Sequence, residues 1–93
     1  MKPFICAELS ANHLGSLDRA IAIVDAAHKA GADGIKLQTW VHGRMCVSDY
    51  RLDRGPWAGR LLRELYAECW TPWAWHKPIF DHARSLGLIP FSA

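Results

Sequence analysis

Glu8 and Lys36 are the two charged residues best placed to act on a substrate, because each lies in a short apolar run. Burying a charge without a partner is costly, so such residues are usually paired or functional. Lys36 alternates with Gln38, which puts both side chains on one face of an extended segment. An ammonium and an amide on one face can bind a phosphate or carboxylate together with a hydroxyl. The alternatives are a structural ion pair between Glu8 and Lys36, or a lysine that only reaches the rim.

A second group of polar residues stands where loops follow apolar segments. Asn12 and His13 precede Gly15, which permits close approach of the backbone. The alternative is that Asn12 closes a turn and His13 is an ordinary loop histidine. In parallel α/β folds, ligands bind at the carboxyl ends of the strands. That rule adds five residues to Glu8, Lys36 and Gln38 as candidates: Ser10, Asn12, His13, Thr39 and Ser92.

The other histidines do not stand at the spacing of a metal site, such as HxxxH with a third donor. We expect structural or surface roles for them, and no metal ligand in this sequence: His28, His42, His76 and His82. Five tryptophans are many for this length. Those around the Thr71-Pro72 pair are predicted to anchor a helix start, with a sugar-stacking platform as the alternative: Trp70, Trp73 and Trp75.

The strands that position these residues are read from apolar patterning. Phe4 to Ala7 are apolar at consecutive positions, which indicates a strand over 4–9 that is covered on both faces. Further strands are predicted over 34–39 and 88–92. Residues 40–56 lack periodicity and are long for a connection, so we expect a functional loop or a variable surface loop, bounded by Trp40 and Trp57.

Three helices are predicted between these strands. Ser16 stands where an N-cap should be, and helical spacing of apolar residues follows as far as Ala30, before Gly31 as a left-handed cap. Thr71 followed by Pro72 is typical of a cap and first helical position, and Pro78 predicts an irregular first part. The predicted helices cover 17–30, 57–69 and about 71–87.

The order β-α-β-α-α-β predicts an α/β fold with a parallel sheet. An open sheet of three strands leaves two exposed edges. A (β/α)₈ barrel needs roughly 250 residues. We therefore expect residues 1–93 to be the N-terminal, three-stranded segment of a TIM barrel, a fragment that is inactive alone.

Composition excludes several classes of function. The 93 residues carry 11 Lys and Arg against 9 Asp and Glu, without a basic cluster, so we expect no nucleic-acid partner. The apolar N-terminal stretch is interrupted at Glu8, far short of a signal or a membrane span of about 20 residues, so we expect no membrane partner. Cys6, Cys46 and Cys69 are odd in number and widely spaced, which indicates reduced thiols and a cytoplasmic location.

The ordered set of motifs resembles the N-terminal part of the bacterial sialic acid (nonulosonic acid) synthase family. The shared motifs are Ala7-Glu8, Asn12-His13-x-Gly15-Ser16, Ala30-Gly31-Ala32-Asp33 and Lys36-x-Gln38-Thr39. Three more are closest to the pseudaminic acid synthase branch: Gly55-Pro56-Trp57-x-Gly59-Arg60, Leu65-Tyr66 and Thr71-Pro72-Trp73-x-Trp75-His76. The resemblance covers essentially the whole chain.

The resemblance implies condensation of phosphoenolpyruvate with an N-acetylated amino-sugar aldehyde, giving a nonulosonic acid and phosphate. It makes Glu8 a catalytic carboxylate, Lys36 a phosphoenolpyruvate ligand and Gln38 a sugar contact, with the loop from Trp40 to Trp57 helping to enclose the sugar. It also implies a divalent metal, typically Mn²⁺, held by histidines beyond Ala93, a homodimer, and an antifreeze-like C-terminal domain. Ala93 stands where the family usually has a hydroxyl residue that contacts phosphate.

Two other functions remain open from the residues alone. Lys36 on a barrel strand could be the Schiff-base nucleophile of a class I aldolase. The chain could also be a non-catalytic α/β module that binds a sugar or peptide through its tryptophan-rich face.

Overall fold

The computed structural model describes residues 2–40 and 50–93 as an alternating series of strands and helices. The elements in chain order are β1 (Cys6–Glu8), α1 (Leu17–Lys29), β2 (Gly34–Leu37), α2 (Leu62–Cys69), a 3₁₀ turn (Trp73–Trp75), α3 (His76–Ser85) and β3 (Ile89–Ser92). The predicted α/β class with a parallel sheet is therefore confirmed.

The strands form one three-stranded sheet in the order β1-β2-β3, and both pairs are parallel. The register places Glu8 beside Lys36, and Lys36 beside Phe91. Partners on neighbouring strands share a face, so these three side chains lie on one side of the sheet. Leu37 is the partner of Ser92 and points to the other side.

The helices cover the face opposite to Lys36. Ile35 and Leu37 of β2 are fully buried there against side chains of α1 and α3. Apolar burial of this kind contributes roughly 1.5–3 kcal/mol for each large side chain. The core on this face comprises Leu9, Ala20, Val24, Ala27, Ile35, Leu37, Ile79, Ala83 and Leu88.

The predicted burial of the first strand on both faces was wrong. Phe4 and Ile5 are 54% and 52% exposed, and β1 itself begins only at Cys6. β1 is an edge of the sheet, and the described residues cover one face of the sheet and not the face that carries Glu8. Consecutive apolar residues indicate that a strand can be covered on both faces, but they do not show which residues supply the cover.

Helix α1 follows its predicted capping. The backbone N–H of Arg19 donates to Ser16 Oγ at 3.1 Å, and Asp18 lies in the first turn, where the helix dipole favours a carboxylate. The helix ends at Lys29, and Gly31 has a φ of +91°, which glycine adopts without a steric penalty. This end returns the chain to the sheet at Gly34.

The boundaries of the other two helices differ from those predicted. Helix α2 begins at Leu62, because the preceding residues form turns and an antiparallel bridge between Arg51 and Leu61. Thr71 does not cap a helix: it is fully buried, and α3 begins only at His76 after the 3₁₀ turn. The expected irregular first part is confirmed, since the 3₁₀ turn Trp73–Trp75 precedes α3. Pro78 itself lies in the first turn of α3, where a missing N–H costs no intrahelical bond.

Within the described residues, no helix combines the length and the apolar character needed to cross a bilayer.

Candidate functional site

Glu8 and Lys36 form an ion pair at the carboxyl ends of β1 and β2. Lys36 Nζ lies 3.0 Å from Glu8 Oε1, and the two side chains are 34% and 49% exposed. The expected burial of Glu8 was wrong, for the same reason as that of its strand. An ion pair this accessible to solvent contributes about 0–1 kcal/mol to stability. The pair therefore places two opposite charges within reach of a ligand and changes the stability of the fold little.

Gln38 lies beside an aromatic pocket of about 490 Å³. Trp40 and Tyr66 form one wall, with their rings edge to face at 5.3 Å and Trp40 Nε1 donating to the Tyr66 carbonyl at 3.1 Å. Trp57 and Ser10 also line this pocket. The hydrogen bond fixes the indole, so the pocket offers a rigid apolar surface with the Gln38 amide as one polar group.

The loop from Ser10 to Gly15 carries backbone strain. Ser10 and Leu14 have φ values of +51° and +50°, a left-handed conformation that non-glycine residues rarely adopt. Such strain persists only where the surroundings enforce it, and it clusters at binding and active sites. Asn12 stabilises the loop, since its Nδ2 donates to the Leu9 carbonyl at 3.1 Å. This is the turn-closing role given above as the alternative for Asn12, which also lines a second pocket of about 550 Å³.

His13 is fully buried and is not an ordinary loop histidine. Its Nδ1 accepts from the Gly15 N–H at 2.9 Å, and its ring meets the edge of Trp75 at 5.2 Å. Its Nε2 has no hydrogen-bond partner among the described residues. Burial lowers the pKa of His13 below its ordinary value, and the nearby Cys69 carbonyl opposes this shift, although its geometry falls short of a hydrogen bond. His13 therefore joins the loop to the 3₁₀ turn as a neutral imidazole.

Thr39 and Ser92 meet at the carboxyl ends of β2 and β3. Their hydroxyl oxygens lie 2.8 Å apart, and Thr39 Oγ1 also lies 2.6 Å from His76 Nε2. Ser92 Oγ donates to the Leu37 carbonyl at 3.1 Å. The register places Ser92 on the face covered by the helices, which is opposite to Glu8 and Lys36. Among the predicted site residues, Glu8 and Lys36 thus form a solvent-accessible ion pair, whereas Thr39 and Ser92 form a half-buried pair of hydroxyl groups on the opposite face.

His76 contacts the predicted site residue Thr39, which the sequence did not lead us to expect. It was expected to be structural because it lacks metal-ligand spacing. The available signal was topological, because the helix between two parallel strands starts at the carboxyl edge of the sheet, where ligands bind. That rule places the first residue of α3 beside Thr39 and Ser92.

The described residues do not form a metal centre. In residues 2–40 and 50–93, no group of three or more histidine, cysteine, aspartate or glutamate side chains comes close enough to hold an ion. Cys6 and Cys69 are free thiols, and burial raises the pKa of Cys69. The expectations for His42, Cys46 and the middle of the 40–56 loop lie outside the described residues.

Comparison with known proteins gives consistent similarities over nearly the whole chain. The model of the NeuB family matches residues 23–93. A pseudaminic acid synthase from Campylobacter jejuni subsp. jejuni serotype O:2 is 45% identical over 96 aligned residues, which cover 99% of this chain and 28% of the relative.

Two crystal structures share the arrangement of strands and helices. Spore coat polysaccharide biosynthesis protein SpsE from Bacillus subtilis is 36% identical with a TM-score of 0.66, over 96% of this chain and 23% of its own. An N-acetylneuraminic acid (sialic acid) synthetase from Leptospira borgpetersenii, in complex with citrate, has a TM-score of 0.74 at 20% identity. The match covers 96% of this chain and 28% of the synthetase chain. The chain thus spans about a quarter of the length of these proteins.

Proposed function

Because the chain belongs to the NeuB family, we propose that it supplies part of the active site of a phosphoenolpyruvate-dependent nonulosonic acid synthase. The family match confirms the resemblance predicted from the motifs. The observation that carries the proposal is the Glu8–Lys36 ion pair, at the same strand ends as the Gln38 pocket. The amino-sugar aldehyde is proposed to be the precursor of pseudaminic acid, since the relative at 45% identity is a pseudaminic acid synthase.

Lys36 is proposed to bind the phosphate or carboxylate of phosphoenolpyruvate. The reaction joins C3 of phosphoenolpyruvate to the aldehyde carbon, whose oxygen becomes a hydroxyl. A lysine ammonium donates up to three hydrogen bonds and acts as a compact positive charge. Its partial exposure leaves room for an anion beside Glu8. The predicted contacts of Asn12, His13, Thr39 and Ser92 with substrate remain predictions.

Glu8 is proposed to orient water or carry a proton after carbon–carbon bond formation. Water adds at C2, the C2–O bond to phosphate then breaks, and C2 becomes a ketone. Both steps move protons, which a positioned carboxylate can accept or return. Glu8 lies next to Lys36 in the sheet register, so one anchored substrate would present C2 near its carboxylate.

The Gln38 pocket is proposed to hold the sugar. Trp40, Trp57 and Tyr66 give it apolar walls, which suit the methyl and acetamido groups of an N-acetylated amino sugar. Gln38 adds an amide that can donate to one sugar oxygen and accept from another. The expected enclosure by the segment from Trp40 to Trp57 is supported by the contribution of both tryptophans to the pocket.

The rest of the machinery is proposed to lie outside these residues. It comprises the remaining strands of a (β/α)₈ barrel, the antifreeze-like domain and the second subunit of a homodimer. The described residues do not fit a metal, so the divalent metal of the family, Mn²⁺ in the sequence-based expectation, is proposed to bind elsewhere in the polypeptide as a Lewis acid. A cytoplasmic location and the lack of membrane or nucleic-acid partners remain predictions.

The class I aldolase alternative is disfavoured by the ion pair. A Schiff-base lysine must have a free Nζ that faces the carbonyl carbon, whereas Lys36 Nζ is paired with Glu8 Oε1 at 3.0 Å.

The full-length protein tests the proposal directly. Phosphate release should require both phosphoenolpyruvate and the N-acetylated amino-sugar aldehyde, with one nonulosonic acid formed for each phosphate. Pyruvate trapped on Lys36 by borohydride would favour the aldolase. Sugar binding without any turnover would favour the binding module.

A further inference from the structure

The imidazole of His76 contacts two aromatic rings at the start of α3. It stacks on Phe80 at 5.2 Å with an angle of 8° between the ring planes, and Trp73 lies 5.0 Å away on a tilted plane. Arg84 lies over the Phe80 ring at 5.6 Å, which fixes that ring in turn. Stacking restricts the plane of the ring, and within that plane Nε2 lies 2.6 Å from Thr39 Oγ1.

The hydrogen bonds from this imidazole run in one direction. The carbonyls of Leu37 and Ala93 can only accept and lie 3.1 and 3.2 Å from Ser92 Oγ, so the Ser92 hydroxyl is the donor to this pair of carbonyls. Ser92 Oγ then accepts from the Thr39 hydroxyl at 2.8 Å, and Thr39 accepts from His76 Nε2–H at 2.6 Å. This order requires the neutral tautomer with the proton on Nε2, or the imidazolium.

The network ends on the backbone that carries the ion pair and the pocket residue. Leu37 lies between Lys36 and Gln38, and its carbonyl also accepts from the Ala93 N–H at 3.0 Å. The same network therefore joins the end of β2 to the end of β3. A shift of this carbonyl would move the two neighbouring side chains, which are on the opposite face.

We propose that His76 is a positioning residue, which acts through Thr39 and Ser92 to hold the ends of β2 and β3 together. The side chains of Lys36 and Gln38 then keep their orientation. In this network Thr39 and Ser92 support the strand ends through hydrogen bonds, which is a different role from the substrate contacts predicted for them from the sequence. The network stands on geometry alone, whereas the part it plays in turnover rests on the proposed function.

Two substitutions separate hydrogen bonding from packing. His76→Phe keeps the aromatic stack but removes Nε2, whereas His76→Gln keeps an amide that can reach Thr39 but removes the ring. A positioning role predicts that the glutamine variant lies closer to the wild type than the phenylalanine variant does. A packing role predicts the reverse order. His82→Gln is the matched control, because His82 lies on the same helix and bonds Asp25 at 2.5 Å, away from the network.

Amide hydrogen exchange of the full-length protein measures how well the network holds the strand ends, and it needs no substrate. The Ala93 amide should exchange about three- to tenfold faster in His76→Phe, as expected for loss of one hydrogen bond of ordinary strength. His76→Gln should recover most of that protection, and His82→Gln should match the wild type. Equal protection of Ala93 in wild type and His76→Phe would overturn the proposal.

Steady-state kinetics on the same proteins test the consequence for turnover. His76→Phe should lower kcat/KM for both substrates by about three- to tenfold, while His76→Gln restores it. Normal kinetics in His76→Phe would overturn the positioning role. A wild type without synthase activity would instead reject the proposed function and leave the exchange result to decide whether the network holds the strands.

Discussion

Lys36 Nζ lies 3.0 Å from Glu8 Oε1 across the first two strands, and both side chains are partly exposed. An accessible pair of this kind adds about 0–1 kcal/mol of stability, so stabilising the sheet is not a sufficient reason for placing two charges there. A phosphorylated enol needs both a cation for its anionic groups and a group that handles protons at C2. In the proposed function, Lys36 supplies the cation and Glu8 supplies the proton-handling group, at adjacent positions in the sheet.

Replacement of Lys36 by methionine should weaken phosphoenolpyruvate binding. The change removes the cation and keeps the length of the side chain, at a cost of roughly 2 to 5 kcal/mol of affinity for the anionic substrate. Steady-state kinetics with each substrate varied should show the loss in the KM for phosphoenolpyruvate. Lys77→Met on the exposed face of α3, where Lys77 pairs with Asp81 at 2.8 Å, is the control. An unchanged KM with normal kcat for Lys36→Met would sink the assignment.

Replacement of Glu8 by glutamine should reduce kcat by about 10²- to 10⁴-fold, because the amide cannot accept the proton. The melting temperature should change little, since the ion pair is accessible to solvent. Asp81→Asn provides a matched loss of one carboxylate from an exposed pair. Near-normal kcat in Glu8→Gln would remove Glu8 from the mechanism, and a lower melting temperature with raised KM would make it a structural partner of Lys36.

Replacement of Gln38 by alanine should act chiefly on the sugar. The residue lines the aromatic pocket, and truncation leaves one sugar hydroxyl without its partner, which raises the KM for the amino sugar about three- to tenfold. The KM for phosphoenolpyruvate should stay near the wild-type value. Lys36→Met serves as the reciprocal control, and the same effect of both variants on the same substrate would contradict the division of roles.

The buried imidazole of His13 should make stability depend on pH. Its pKa in the folded state lies below the ordinary value of 6.5, chiefly because of burial, so the unfolded state binds a proton first as the pH falls. The stability that this neutral imidazole contributes is present above 6.5 and is lost as the pH falls from there towards the lower folded pKa. The melting temperature should therefore fall as the pH is lowered through the ordinary histidine value of 6.5.

His13→Gln removes the titrating group and should flatten this dependence, whatever its effect on stability at neutral pH. His28→Gln, at an exposed position of α1, should keep the wild-type slope. A His13→Gln variant with the full wild-type slope would show that the dependence arises elsewhere.

Local signals in the sequence predicted the parts of the fold that depend on neighbouring residues. Ser16 caps α1 because an N-cap needs only the N–H groups one turn ahead, and Gly31 ends it because a positive φ is a local demand. The exposure of Phe4 and the start of α2 at Leu62 depend on contacts beyond neighbouring residues, such as the bridge between Arg51 and Leu61. Apolar runs and periodicity do not report which contacts those are.

The site shows the same division. The alternation of side chains along a strand predicted that Lys36 lies on the face opposite to Leu37. The convergence of parallel strands at their carboxyl ends predicted that Lys36 lies near Glu8. The burial of His13 was missed because Trp75 covers it from a distant turn. His76 was missed because its contact with Thr39 spans 37 residues and follows only from the topology.

The origin of the oxygen in the released phosphate tests the account most directly. Phosphoenolpyruvate carrying ¹⁸O in the oxygen that bridges C2 and phosphorus is incubated with the amino-sugar aldehyde and the full-length protein, and the phosphate is analysed by mass spectrometry. Water addition at C2 followed by carbon–oxygen cleavage predicts that the label leaves with the phosphate. Unlabelled phosphate, with ¹⁸O retained in the ketone, would mean cleavage at phosphorus and would contradict the chemistry proposed for Glu8 and Lys36.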